Sequence, residues 1–200
     1  MRCIPVGVDA LLVEVADVAE ATVLYAEARR RSTRAVDIVP AAATVLFSGV
    51  TDVPALADDV AGWALPEDRP VSGPLVEVPT RYDGADLEAV ARLWDMTTGE
   101  AVATHTGTEM VVAFCGFSPG FAYCTGLAEE RAVPRLDTPR TRVPAGSVAL
   151  AGAFTGIYPT ASPGGWRLLG CTDLTLWDPA REQPATLPPG TRVRFVEVGR

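Results

Sequence analysis

Two hundred residues are enough for one large domain or two small ones, and a composition of 48% hydrophobic and 21% charged residues is that of a globular protein. No apolar run approaches the roughly 18–20 residues needed to cross a bilayer, and a net charge of −8 argues against a nucleic-acid partner. All 17 basic residues are arginine, so a phosphate-loop lysine, a Schiff-base lysine and a biotin-carrying lysine are excluded from this chain.

The N-terminus, Met1 to Pro5, leads into strand-like sequence without the basic segment and apolar stretch of a secretory signal, so the expected location is the cytoplasm. Ala10 to Val15 reads as a strand. Asp17 and Glu20 then form an acidic capping-box variant that opens a helix carrying Val18, Thr22, Leu24 and Tyr25 and closing on Arg29, Arg30 and Arg31. Two strand-like runs follow, 35–39 and 44–48, split by Pro40. Asp52 caps a second helix with Pro54 in its first turn, and Leu75 to Val78 returns as a strand. Strand, helix, two strands, helix, strand is the ferredoxin-like order, predicting an α/β domain over 1–80.

Residues 81–107 read as a helical connector. Asp86 to Trp94 is amphipathic, and Thr97 with Glu100 forms a capping box for a second piece ending near His105. From 108 on, short apolar runs at 110–114, 147–151, 166–169, 174–177 and 193–198 are punctuated by Gly and Pro, predicting a small closed β-barrel or sandwich over 108–200. The fold class is therefore α+β. The four cysteines, Cys3, Cys115, Cys124 and Cys171, are irregularly spaced and expected to be reduced; with one histidine and no Cys/His cluster, no metal site is expected.

Charge is uneven: residues 1–100 hold 8 Arg against 17 acidic residues, residues 101–200 hold 9 Arg against 8. Arg131, Arg135, Arg140 and Arg142 crowd a Pro-rich stretch. Arginine forks receive carboxylates or phosphates, and they equally pair with Glu129, Glu130 and Asp137; the residues alone leave both readings open. Cys115 to Gly126 runs on without periodicity to Gly146. Within it Pro119 and Gly120 suit the centre of a type II turn whose N–H groups could meet an anion, walled by Phe117, Phe121 and Tyr123. A second loop, Thr155 to Trp166, offers Thr155, Tyr158, Thr160 and Ser162, a turn at Pro163 and Gly164, and the amphipathic Trp166.

Together these loops predict a rim for a small anionic ligand, with Ser118, Gly120, Tyr123, Arg140, Arg142, Tyr158, Ser162, Gly164 and Trp166 as binding residues. His105 has the side chain suited to proton transfer near neutral pH, which makes it the catalytic candidate; capping its helix is the competing role. Ser118 lies outside a nucleophile-elbow pattern, and neither Cys115 nor Cys124 has a catalytic context.

The blocks His105 to Glu109, Gly116 to Tyr123, Pro139 to Ser147, Thr155 to Pro159 and Ser162 to Trp166 closely resemble one family: the B-type subunit of bacterial 5-oxoprolinase, allophanate hydrolase subunit 1 and the KipI-type kinase inhibitor. The resemblance covers nearly the whole chain. It implies a C-terminal cyclophilin-like barrel after the α/β domain, and a partner chain like allophanate hydrolase subunit 2 or the C-type subunit of 5-oxoprolinase, with room for a third subunit. For the oxoprolinase branch it implies opening of 5-oxoproline to glutamate with ATP and Mg held by the assembled complex and no covalent cofactor. The family's other branches imply a carboxyltransferase-like subunit of urea degradation, or inhibition of a sensor histidine kinase. This chain departs from the family at Phe154, where an amide side chain is usual, at Ala149 and Leu150, and in a shortened loop at 82–87.

Overall fold

Three side chains start three helices as their spacing demands. In the computed structural model, which describes residues 1–66 and 73–199, the Asp17 carboxylate accepts the Glu20 N–H at 2.9 Å and opens helix α1 (Val18–Arg30). Asp52 does the same for Ala55 at 3.0 Å and opens α2 (Val53–Ala61), with Pro54 in its first turn. Thr97 and Glu100 exchange both bonds of a capping box at the start of α4 (Thr98–Gly107), which follows the short α3 (Leu87–Leu93). At the end of α1 the buried Glu27 receives Arg30 and Arg31, whose hydrogen bonds hold its carboxyl down at about 2.

The chain divides into two units, Met1–Val71 and Ser72–Arg200. The first is an antiparallel sheet of β1 (Arg2–Val6), β2 (Ala10–Glu14), β3 (Asp37–Pro40) and β4 (Thr44–Ser48) in the order β1-β2-β4-β3. Leu11, Val13, Val45 and Phe47 alternate onto one face and meet Ala21, Leu24 and Ala28 of α1 and Val53 and Val60 of α2, spaced at helical period. The strand expected to complete this layer, β5 (Leu75–Thr80), belongs to the other unit. The place beside β2 that a ferredoxin-like order gives to its last strand is taken instead by β1, which reaches it through a short hairpin rather than a crossover.

In the second unit β5 pairs in parallel with the last strand, β13 (Arg192–Glu197). The remaining strands are β6 (Met110–Cys115), β7 (Ala122–Thr125), β8 (Arg140–Val143), β9 (Ser147–Ala151), β10 (Phe154–Ile157), β11 (Ser162–Gly164) and β12 (Arg167–Cys171). Seven of these form a nearly closed, barrel-like sheet in the order β12-β9-β10-β7-β6-β13-β5. Its two edges are joined by the backbone of Arg81 and Cys171, which exchange hydrogen bonds at 2.9 Å, and by Gly84 and Asp86 donating to the carbonyls of Leu169 and Leu168 at 3.0 Å. Gly170 is required at this seam, because any side chain there would strike the Arg81 carbonyl oxygen.

Helices α3 and α4, expected as a connector, are part of this second unit. The inner face of the sheet, with Val112, Val148, Leu150, Ile157, Val193 and Phe195, packs with Val90, Trp94 and Ala101 of the helices. On β9, Ala149 and Ala151 face the other way, under a ribbon made by β8 and β11, so the strand is buried on both faces. The apolar run at 174–177 forms no strand; among its residues only Trp177 makes a bridge, to Ala185.

Candidate functional site

The two Ser-Pro-Gly loops take different conformations. In the first, Gly120 has φ +84° and the Phe121 N–H closes the turn on the Ser118 carbonyl at 3.0 Å, as expected for Pro119 and Gly120 at its centre. Three of its amides are already engaged. Ser118 donates to Gly116 at 2.7 Å and Gly116 to Phe121 at 3.2 Å, so these N–H groups are consumed within the loop. Phe117 next to them is 63% exposed and sits in the left-handed region at φ +67°, a conformation costly for a non-glycine residue.

In the second loop Pro163 and Gly164 form no turn; they lie in β11, which pairs Ser162 with Val143 and Gly164 with Arg140. Tyr158 beneath the ribbon is buried, its hydroxyl accepting the Trp166 backbone N–H, and Gly164 passes so close that a Cβ there would collide with that hydroxyl. The ribbon thus covers an aromatic cluster. The Phe121 ring lies 5.0–5.3 Å from those of Tyr123, Tyr158 and Trp166. Tyr123 stacks on Phe114 at 4.3 Å, and Phe154 stands edge-on to both at 5.5 and 5.8 Å. The departure at Phe154 is therefore absorbed as packing against Tyr123.

Arg140 is committed to the protein itself. Its guanidinium pairs with Asp86 at 2.8 Å and reaches the Trp166 carbonyl at 3.3 Å, while the second Asp86 oxygen accepts the Leu168 N–H at 2.7 Å. Arg140, expected from the sequence to bind the ligand, is instead a strut between the start of α3 and the ribbon. Arg142 is exposed on β8. The Ser118 and Ser162 hydroxyl oxygens are buried without a hydrogen-bond partner.

His105 lies in the core rather than on the rim. It is fully buried, its Nδ1 2.7 Å from the Tyr82 hydroxyl and its Nε2 3.3 Å from that of Thr155, with its ring centroid 4.5 Å from that of Phe195. Burial lowers its pKa from 6.5 to about 3, so the ring is neutral at physiological pH. A ring with both nitrogens engaged and no exposed surface does not fit the expected proton carrier, nor does it cap its helix by reaching the last carbonyls. It pins Tyr82, the residue after the seam at Arg81, to β10.

Beside the aromatic cluster opens a groove of about 540 Å³ lined by Pro119, Gly146, Thr160 and the segment 172–177. The groove draws on three of the motif blocks, but most of the predicted binding side chains lie in the cluster and ribbon next to it. Asp86 and the segment 172–177 escaped sequence reasoning, because neither carries a motif and both are brought in from distant parts of the chain.

These features define a class. Residues 1–187 match the carboxyltransferase domain, subdomains C and D, and the chain belongs to that family. Its relatives include proteins named as the B-type subunit of 5-oxoprolinase: that of Escherichia coli O157:H7 is 48% identical over 124 residues, 60% of this chain and 57% of the relative. That of Bacillus subtilis (strain 168) is 42% identical over 135 residues, 66% and 56% of the two chains. That of Haemophilus influenzae (strain ATCC 51907 / DSM 11121 / KW20 / Rd) is 41% identical over 140 residues, 68% and 66%. The match thus spans between 56% and 66% of these relatives' own length.

Among solved structures, TTHA0988 superposes with a TM-score of 0.79 at 33% identity, over 96% of this chain and 40% of that one. The conserved protein PH0987 from Pyrococcus horikoshii gives 0.61 at 30% identity, over 100% and 98%. The K. lactis urea amidolyase shares the fold, with a TM-score of 0.76 at 18% identity over 98% of this chain and 15% of that one.

Proposed function

We propose that the chain is a non-autonomous subunit of a heteromeric, ATP-dependent amidohydrolase that opens 5-oxoproline to glutamate. The observation that carries this reading is the 41–48% identity to three proteins named as the B-type subunit of 5-oxoprolinase. The geometry supports a chain that contributes to a site without completing one. The loop amides of Gly116, Ser118 and Phe121 are internally bonded and Arg140 is paired with Asp86, so these groups do not cradle a triphosphate. ATP with Mg belongs, on this reading, to the assembled complex; when bound it supplies phosphoryl activation of the lactam oxygen. The part of this chain is to present the groove and its aromatic neighbour to a partner like the C-type subunit of 5-oxoprolinase, in the cytoplasm.

Co-expression with such a partner tests the reading. A stable complex that releases glutamate from 5-oxoproline only when ATP is present supports it. A stable complex inert toward 5-oxoproline but active on allophanate or urea overturns the substrate assignment, and failure to form any complex overturns the subunit assignment.

A further inference from the structure

Where α1 ends, the chain reverses and leaves a cavity beside the turn. The Thr33 N–H donates to the Ala28 carbonyl and the Ser32 N–H to that of Arg29, both at 3.1 Å, with Ser32 in the left-handed region at φ +53°. The Val36 N–H then donates to the Ser48 carbonyl at 2.8 Å and leads into β3. Between the last turn of α1 and the start of β3 lies a cavity of about 360 Å³, whose walls include Arg29, Ser32, Thr33 and Asp37. That volume falls within the roughly 300–1,000 Å³ of small-molecule sites.

Three groups that line this cavity lack a partner. Arg30 and Arg31 are committed to Glu27, but Arg29 forms no ion pair among the described residues. Asp37 forms none either: one of its carboxylate oxygens accepts the Ile38 N–H at 2.9 Å, and the other accepts nothing among the described residues. Both charges line the same cavity without pairing across it. The Thr33 hydroxyl oxygen is buried with no hydrogen-bond partner, a costly state that a ligand in the cavity would relieve.

We propose that this cavity binds a free α-amino acid, with its carboxylate on Arg29, its ammonium on Asp37 and a hydrogen bond to the Thr33 hydroxyl. A simple anion would meet the Asp37 carboxylate and a simple cation the Arg29 guanidinium, whereas a zwitterion satisfies both. The negative end of the α1 dipole further favours the ammonium. A phosphate is poorly served, because the Ser32, Thr33 and Val36 amides are used by the turn and by Ser48. The site belongs to the first unit, whereas the aromatic cluster and its groove belong to the second, and the proposal does not depend on the oxoprolinase reading.

The test is calorimetric titration of the full chain with L-alanine, L-serine and L-glutamate, followed by the N-acetyl derivative and the α-methyl ester of whichever binds most tightly. At least one amino acid is expected to bind with a Kd of about 1 mM or below, and both derivatives, each lacking one of the two charges, roughly tenfold more weakly or worse. Arg29→Gln, which keeps a good helix former at an exposed position, and Asp37→Asn are each expected to weaken binding by roughly tenfold or more, and Thr33→Val several-fold. The absence of binding by all three amino acids overturns the site, as does an affinity unchanged in both Arg29→Gln and Asp37→Asn. An N-acetyl derivative that binds as tightly as the parent overturns the role of Asp37, and an ester that does so overturns that of Arg29; either result refutes recognition of a zwitterion.

Discussion

Asp86 holds Arg140 with one carboxylate oxygen at 2.8 Å and the backbone N–H of Leu168 with the other at 2.7 Å. The pair joins three segments distant in sequence: the start of α3, the first strand of the ribbon and the edge strand β12. Both side chains are largely sheltered, with 9% and 27% exposure. Removing one partner leaves the other poorly solvated, which costs more than an exposed ion pair is worth.

Asp86→Ala is accordingly expected to lower the stability of the chain by roughly 2–4 kcal/mol, read as a shift of the urea midpoint. Arg140→Gln, which retains a donor toward Asp86, should cost less than half as much. Equal stability of Asp86→Ala and wild type would show that the pair does not hold the ribbon.

The neutral, buried His105 sets a direction for acid sensitivity. The unfolded chain protonates this ring near pH 6.5 and the folded chain only near 3, so unfolding takes up a proton between those values. The stabilisation is complete above 6.5 and declines as the pH falls, by up to about 1.4 kcal/mol per pH unit until about 3. Glu27, held at about 2 by Arg30 and Arg31, adds loss in the same direction below its ordinary 4.5. Urea midpoints of His105→Gln should show a flatter slope than wild type between pH 6.5 and 4.5, even if the variant is less stable throughout. An unchanged slope would mean that His105 is protonated in the folded state.

At the seam of the barrel, Gly170→Ala would drive a methyl group into the Arg81 carbonyl, and that carbonyl accepts the Cys171 N–H that joins the two sheet edges. Neither backbone can retreat without breaking the bridge. A loss of about 3 kcal/mol or more is expected, with faster amide exchange at Arg81 and Cys171. Wild-type exchange at those two amides would contradict the closure.

Phe154→Gln would restore the amide usual in the family while removing two edge-on ring contacts, with Phe114 and Tyr123. The site is half-buried, so a destabilisation of roughly 1 kcal/mol is expected in a thermal melt. A destabilisation above about 3 kcal/mol would show that Phe154 belongs to the core and not to the edge of the cluster.

What was legible in the sequence follows the range of the interaction. Asp17, Asp52 and Thr97 announce their helices because each cap is completed within three residues. Leu75 to Val78 reads as a strand, but its partner β13 lies at the other end of the chain, so its sheet could not be inferred locally. β7, β8, β10 and β11 are strands of three or four residues interrupted or bounded by Gly and Pro, which carry no usable alternation. The motif residues Tyr123, Tyr158 and Trp166 do come together. The commitment of Arg140 to Asp86, and of His105 to Tyr82 and Thr155, depends on contacts across 23 to 54 positions and becomes visible only in the fold.

The most direct measurement is ATP hydrolysis by the chain co-expressed with a protein like the C-type subunit of 5-oxoprolinase and any third subunit, with and without 5-oxoproline. If the proposed function holds, hydrolysis by the chain alone is negligible and hydrolysis by the complex rises with 5-oxoproline, with glutamate formed in proportion. An intact complex whose ATP hydrolysis is indifferent to 5-oxoproline would contradict it.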